Sequence, residues 1–437
     1  MDEATDRAAV ATFVDDILSG TGWQLTAVKR RSSRLEPPDS YWALFDVAVN
    51  NDSEERRLRL VTKGALNGPA WDVLSSRLAK DAAGQRCEPI GGLGYPRLFP
   101  ESRHAYWFYP YDPGMPNLWQ AADPVHMAHH LFGFDEGQTS ETLAAARRLE
   151  IERVRYVPEV GAILRYTLDG AGAQLDVYGK VQPANRGLRT HRVVDALWQA
   201  SKEYPGYLNL PRPLGFIEPL GLLLEERVRG KPVSGNRTNT EFTLLGGAAA
   251  EALAVIHESK VEVDTTISIK NEIERLDRVA EQFTYVLPTG HFLLTDLIAH
   301  MRDRVRRTDE EELLPTHGDL KYDQFIHHNG EFTLIDFDYF AMAETSYDLG
   351  KFCAYTVAST PRDWRESVAA DDTRAMFLRR YRELRPQATL QRFPVYEALQ
   401  LALRAMASMW SQSSGWERVA ETFLVMAFER LKSRPPD

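Results

Sequence analysis

The sequence predicts an α+β protein of more than one module, with sheet-rich segments preceding a large helical part. Three observations carry this expectation: a length of 437 residues, apolar–polar alternation through much of the first half, and helical periodicity through most of the second. Hydrophobic residues at 43% and aromatics at 10% are those of a chain with packed cores. No tract of Pro, Gly and Ser is long enough to predict disorder.

The elements follow in order. Val10, Phe13, Val14 and Ile17 have helical spacing and the pattern stops at Gly20, so a short helix opens the chain. Residues 41–63 alternate on both sides of the polar NNDSEE, which predicts a hairpin. The aromatic, proline-rich stretches YPRLFP and YWFYPYDPGMPNLW, between residues 92 and 124, predict loops pinned to a surface by large side chains. A module boundary is expected near residue 140. From Arg153 onward, VRYVP, AILRYTL and QLDVYGKV, separated by EVG and DGAGA, predict an antiparallel sheet. A helix from about 189 to 201, the loop PRPLGF and a hairpin ending in LLLEERV come next. From Asn239 the periodicity is helical, as in TLLGGAAAEALAVIH and YEALQLALRAMASMW, broken by a strand-rich island at 325–337. There is no solenoid-type repeat, but two hairpins both end in a lysine, Lys63 and Lys180, which is compatible with a distant duplication.

Charge and composition exclude several classes. A net charge of -10 with basic residues scattered singly argues against nucleic acid as a partner. The two cysteines, Cys87 and Cys353, have no neighbour at metal-ligand or redox spacing and read as buried thiols of a reducing compartment. The N-terminus MDEATDRAAVATF has acidic residues where a secretory signal needs basic ones, and no apolar run approaches the roughly 18 residues of a membrane span. A soluble cytoplasmic protein without a membrane partner is expected. The adjacent His327 and His328 face opposite sides of a predicted strand and cannot easily share a zinc ion. No G-x-S-x-G, G-x-G-x-x-G or C-x-x-C motif supports a hydrolase or dehydrogenase.

Residues 316–338, THGDLKYDQFIHHNGEFTLIDFD, are the most informative. Asn329-Gly330 favours a two-residue turn between strands 325–328 and 331–335. Such a hairpin brings Asp319 and Asp336 together. Phosphoryl transfer from a nucleotide needs one carboxylate to orient or deprotonate the acceptor hydroxyl and another to hold the magnesium that bridges the phosphates.

The motif resembles the aminoglycoside phosphotransferase and choline kinase superfamily, whose catalytic loop reads H-G-D-L-x-x-x-N and whose metal element reads I-D-F/W-D/E. The matching residues are His317, Gly318, Asp319 and Leu320, then 335–338. The resemblance implies a protein-kinase-like bilobal fold with an antiparallel-sheet N-lobe at 141–230 and a helical C-lobe at 231–437. Residues 1–140 add an α+β cap similar to that of maltokinase-like and glucosamine-kinase-like enzymes. It implies Asp319 as the catalytic base or orienting group, Asp336 as the principal Mg2+ ligand, and His317 as a brace of the loop. Lys321 matches the lysine that neutralises charge on the transferring phosphoryl group. At the usual metal-binding asparagine stands Gln324, whose carbonyl oxygen sits on a longer arm, a change maltokinase-like members tolerate. Asp323 reads as a turn residue beside it.

On the nucleotide side, RYVPEVGAILRYTL resembles the hairpin that covers the phosphates of ATP, with Gly161 in its loop. Lys180 takes the position of the lysine on the α- and β-phosphates, with Asp195 the sole acid where its helix partner would stand. The segment 222–233 resembles the hinge, with Glu226 and Val228 as backbone contacts of adenine. Asp348, in SYDLGKF, caps or braces a helix by the same likeness. The resemblance implies an ATP-dependent small-molecule kinase. Its acceptor would be a sugar or amino sugar, with an aminoglycoside or other natural product close behind. The alternative is a pseudokinase that binds nucleotide or acts as a scaffold without turnover.

Overall fold

The computed structural model describes residues 7–36, 39–80, 96–132, 144–168, 175–235, 240–357, 364–411 and 413–436. Cys87, the turn DGAGA and the boundary expected near residue 140 lie outside these. The chain forms two compact units, Met1–Leu188 with Leu214–Glu225, and Arg189–Pro213 with Glu226–Asp437.

The first unit opens with α1 (Arg7–Leu18), which buries Val10, Val14 and Leu18 on one face. β1 (Gln24–Glu36), β2 (Ser40–Asn50) and β3 (Glu55–Ala65) follow as antiparallel neighbours, with Asn50 opposite Glu55 across the predicted turn. After α2 (Gly68–Lys80) come β4 (Arg97–Phe99) and β5 (His104–Phe108), and the sheet order is β1-β2-β3-β5-β4. This corrects the reading of 92–124 as loops: HAYWF is an interior strand, paired with β3 and β4. All five of its residues are buried, so it has no polar face and no alternation to read. The short helices α3 (Leu118–Ala121) and α4 (Pro124–Phe132) complete this module.

A second five-stranded sheet contains β6 (Leu149–Val157), β7 (Gly161–Leu168), β8 (Leu175–Val181), β9 (Pro213–Ile217) and β10 (Leu222–Glu226) in the order β6-β7-β8-β10-β9. The helix after its third strand, α5 (Ala184–Ser201), begins five residues earlier than the sequence suggests. The two sheets therefore share one order, each with a helix after its third strand, and that strand carries Lys63 in one and Lys180 in the other. A single apolar cluster running from Val10 to Leu222, with Phe45, Trp107, Leu164 and Tyr166 inside it, joins both sheets.

The second unit is mainly helical. Besides the greater part of α5, its described helices are α6 (Thr240–Glu258), α7 (Ile269–Val286), α8 (Pro288–Arg306), α9 (Ser346–Thr356), α10 (Trp364–Leu384), α11 (Phe393–Ser411) and α12 (Trp416–Lys432). Ser268 caps α7 by accepting the Asn271 N–H. Two small sheets interrupt the helices. One pairs β11 (Lys231–Pro232) with β14 (Phe325–His328) and β14 with β15 (Glu331–Leu334); the other sets β16 (Ala341–Glu344) between β12 (Thr266–Ile267) and β13 (Leu313–Thr316). The predicted hairpin is the β14–β15 pair, and its turn residues Asn329 and Gly330 have φ of 51° and 87°, the positive values of a type I′ turn. No described helix is long and apolar enough to cross a membrane.

Candidate active site

In the second unit, β13 delivers the chain into His317, Gly318 and Asp319, and β15 leads out to Asp336. Gly318 has φ of 81°, and a Cβ there would lie 2.0 Å from the Tyr339 carbonyl oxygen. Only glycine fits this turn. The buried Asp348, in the first turn of α9, accepts the His317 N–H at 2.7 Å and the Gly318 N–H at 3.1 Å. It therefore braces the loop against α9, where its sequence context suggests the cap or brace of a helix. Burial raises its pKa to about 7, against the pull of Lys351 and the two amides. His317 is fully buried; its Nδ1 accepts the Asp319 N–H at 3.2 Å and its Nε2 donates to the Ile335 carbonyl at 3.1 Å. That pattern is the neutral tautomer, and burial lowers the ring's pKa to about 4.

The two aspartates converge on one amide. Gln324 Nε2 donates to Asp319 Oδ2 at 3.1 Å and to Asp336 Oδ2 at 3.3 Å. The nitrogen end thus faces both carboxylates, and the oxygen must turn inward before it can meet a cation. Asp336 has φ of 71°, a left-handed value that Asp tolerates better than most residues and that concentrates at functional sites. Asp323 is half exposed and 3.9 Å from Lys321, outside this convergence.

Two lysines hold Asp319: Lys321 Nζ lies 2.9 Å from Oδ2 and Lys351 Nζ 2.8 Å from Oδ1. Burial pushes the Asp319 pKa up, but Lys351 and then Lys321 outweigh it and the net shift is downward. Burial likewise opposes the charge of each lysine, and neighbouring acidic groups reverse it, Asp319 foremost for Lys321 and Tyr347 then Asp319 for Lys351; both pKa values are raised. Lys351 was missed in the sequence. The available signal is its position three residues after Asp348 in SYDLGKF, which puts both on one face of α9. Arg189 was missed too; it donates to the Asp338 carbonyl at 3.1 Å and to Thr265 Oγ1 at 2.7 Å, tying down the chain that follows Asp336.

The predicted nucleotide residues divide between the units. In the first, Lys180 is half-buried on β8 opposite Ile163, and Gly161 opens β7 directly after the turn at 158–160. The N-terminal module fastens that turn. Glu159, at φ of 60°, pairs with Lys63 and Arg77, and its N–H donates to Asp112 Oδ2 at 2.9 Å. Asp112 also accepts the Tyr156 hydroxyl at 2.7 Å. In the second unit, the Glu226 N–H donates to the Arg212 carbonyl at 2.9 Å, so this residue offers a ligand its carbonyl and not its amide. Val228 is half-buried two residues on. Cys353 is buried within the second unit, where burial raises its pKa strongly.

Comparison with known proteins gives a consistent result. Residues 175–387 match the model of a phosphotransferase enzyme family. An inferred aminoglycoside phosphotransferase from Ralstonia eutropha has a TM-score of 0.51 and 15% identity, covering 72% of this chain and 99% of its own. Amicoumacin kinase, solved in complex with AMP-PNP, Ca2+ and Ami, has a TM-score of 0.47 and 15% identity, covering 70% and 96%. Choline kinase from Streptococcus pneumoniae has a TM-score of 0.44 and 15% identity, covering 67% and 97%. The Ralstonia likeness shows the fold, an antiparallel-sheet region followed by a helical region of the protein-kinase-like kind. No curated protein matches the sequence.

Proposed function

Residues 175–387 match a phosphotransferase enzyme family, and from that likeness we propose that the chain transfers the γ-phosphate of ATP to a hydroxyl of a small molecule, a sugar or amino sugar. The observation that carries the reading is the convergence of Asp319 and Asp336 on Gln324, with Lys321 and Lys351 on the Asp319 carboxylate. In this reading Asp319 accepts a hydrogen bond from the acceptor hydroxyl and aims its oxygen at the phosphorus. With its pKa lowered it is a weak base, which suits a loose transition state in which the proton leaves late. Lys321 offsets charge on the phosphoryl group in flight. Lys180 engages the α- and β-phosphates, the turn before Gly161 covers them, and Glu226 and Val228 offer backbone groups to adenine.

A divalent cation fits the donor set. Asp336 supplies a hard carboxylate oxygen, Gln324 holds a carbonyl oxygen that is turned away as the amide stands, and no three His, Cys, Asp or Glu side chains cluster among the described residues. Mg2+ commonly takes one or two carboxylates and completes its shell with phosphate oxygens and water. When bound, such an ion neutralises charge on the nucleotide phosphates. Asp336 would hold it, with Gln324 joining after its amide turns.

The test is a nucleotide-consumption screen at millimolar acceptor, with neutral sugars, amino sugars, aminoglycosides and nucleosides in parallel. Turnover with a sugar supports the reading. Magnesium-dependent nucleotide binding with no turnover on any acceptor would favour a pseudokinase instead.

A further inference from the structure

We propose that Lys351 is a positioning residue for the phosphoryl-transfer step, holding the Asp319 carboxylate in the one orientation that leaves a lone pair for the acceptor hydroxyl. The inference rests on the proposed phosphotransferase reading and deepens it. A carboxylate offers about four acceptor positions. On Oδ2, two are taken by Lys321 at 2.9 Å and Gln324 at 3.1 Å. On Oδ1, Lys351 at 2.8 Å takes one. The fourth remains for an incoming hydroxyl.

The two lysines are not equivalent. Lys321 lies two residues from Asp319 on the same loop and moves with it. Lys351 comes from α9, a different element, and its ammonium also donates to the Gly318 carbonyl at 3.3 Å. One helix thus supplies the carboxylate of Asp348, which holds the loop's amides, and the ammonium of Lys351, which holds its carbonyl and its catalytic side chain. The helix itself is fixed in place. A Cβ on Gly350 would lie 2.7 Å from the backbone of Tyr396 and Glu397 on α11, so at this point α9 packs directly against the α11 backbone. Only 13% of the Lys351 side chain is exposed, leaving the ammonium little room to swing into solvent. Without Lys351 the carboxylate keeps its Oδ2 contacts and pivots about them, carrying Oδ1 away from the acceptor.

The experiment compares the full-length parent with Lys351→Met and Lys351→Arg, using magnesium-dependent ATP hydrolysis, with water as acceptor, and AMP-PNP affinity by calorimetry. Lys351→Met should lower kcat on the order of 10- to 100-fold, the scale of a misplaced reacting group. KM for ATP and the affinity for AMP-PNP should stay within about twofold, since Lys351 touches no group assigned to the nucleotide. Lys351→Arg, which keeps the charge and the donors, should recover much of the loss. If Lys351→Met does not fold, Lys351→Gln takes its place with the same expectation. A Met or Gln variant with kcat within about threefold of the parent overturns the inference. So does a loss of kcat that comes with an equal loss of AMP-PNP affinity and of melting temperature, which is the signature of a merely structural lysine. A parent with no turnover on water or on any acceptor of the screen overturns the phosphotransferase reading itself, an outcome distinct from an active parent with an active variant.

Discussion

Replacing Gly318 by alanine tests whether the geometry of the catalytic loop sets the rate. Two costs follow from the structure. At φ of 81° an L-residue is strained, by roughly 1–2 kcal/mol for a left-handed conformation. The added Cβ would also stand 2.0 Å from the Tyr339 carbonyl oxygen, against an ordinary contact that begins near 3.4 Å. One of the two peptides must therefore move by more than about 1 Å, a displacement that costs on the order of 100-fold in rate when it reaches a reacting group. Gly330→Ala is the matched control. Its φ of 87° imposes the same kind of backbone strain, but nothing lies within 4 Å of the added carbon. Gly330→Ala should lose roughly 1–2 kcal/mol in urea unfolding and Gly318→Ala more than that, since the clash adds to the strain, whereas only Gly318→Ala should lose about 100-fold in kcat. The assay is magnesium-dependent phosphotransfer beside the denaturation curves. Gly318→Ala with kcat within about threefold of the parent, or Gly330→Ala equally impaired, would refute the argument.

Three further outcomes are expected. Asp336→Asn should lose magnesium-dependent nucleotide binding with little loss of stability, because Asn tolerates the left-handed backbone but lacks the charge that holds a hard cation; calorimetry with and without magnesium decides it. In the same titration Gln324→Asn should retain substantial activity and Gln324→Leu should not, and equal behaviour of both with the parent would remove Gln324 from the site. The third outcome is a pH dependence. His257 is buried against the Tyr381 hydroxyl, and burial, with Arg385 second, lowers its pKa to about 3. The unfolded chain takes up that proton near pH 6.5 and the folded one does not, so the unfolded state gains protons as pH falls. Stability is intact above about pH 6.5 and declines toward pH 3, with a limiting slope of about 1.4 kcal/mol per pH unit for one proton. Urea unfolding at successive pH values should show a shallower slope for His257→Asn, and an unchanged slope would contradict this.

Much of the helical unit and the two central acids was legible because the signals are local. HGD, Asn329-Gly330 and IDFD lie within one short segment, and the hairpin they encode is the one formed. The first sheet was legible only in part. β1 is an edge strand with four basic residues and little burial, so it shows no apolar stripe. Charged residues there protect an edge from unwanted pairing. β5 is hidden for the opposite reason, being buried on both faces. Lys351 and Arg189 act through tertiary contacts with segments distant in sequence; SYDLGKF points to Asp348 before its lysine, and Arg189 sits in no motif. The lysine-ended hairpins hinted at the shared order of the two sheets, but the helix after each third strand became comparable only in three dimensions.

The claim at the centre is that Asp319 acts on the acceptor and not on the bound nucleotide. The most direct measurement is a side-by-side comparison of the parent and Asp319→Ala, with AMP-PNP affinity measured in magnesium and phosphotransfer measured with the best acceptor from the screen. Nucleotide affinity within about twofold of the parent, together with a loss of transfer of at least about 1000-fold, is the predicted result. A loss of transfer smaller than about tenfold, equivalent to roughly 1.4 kcal/mol of barrier, would contradict the account.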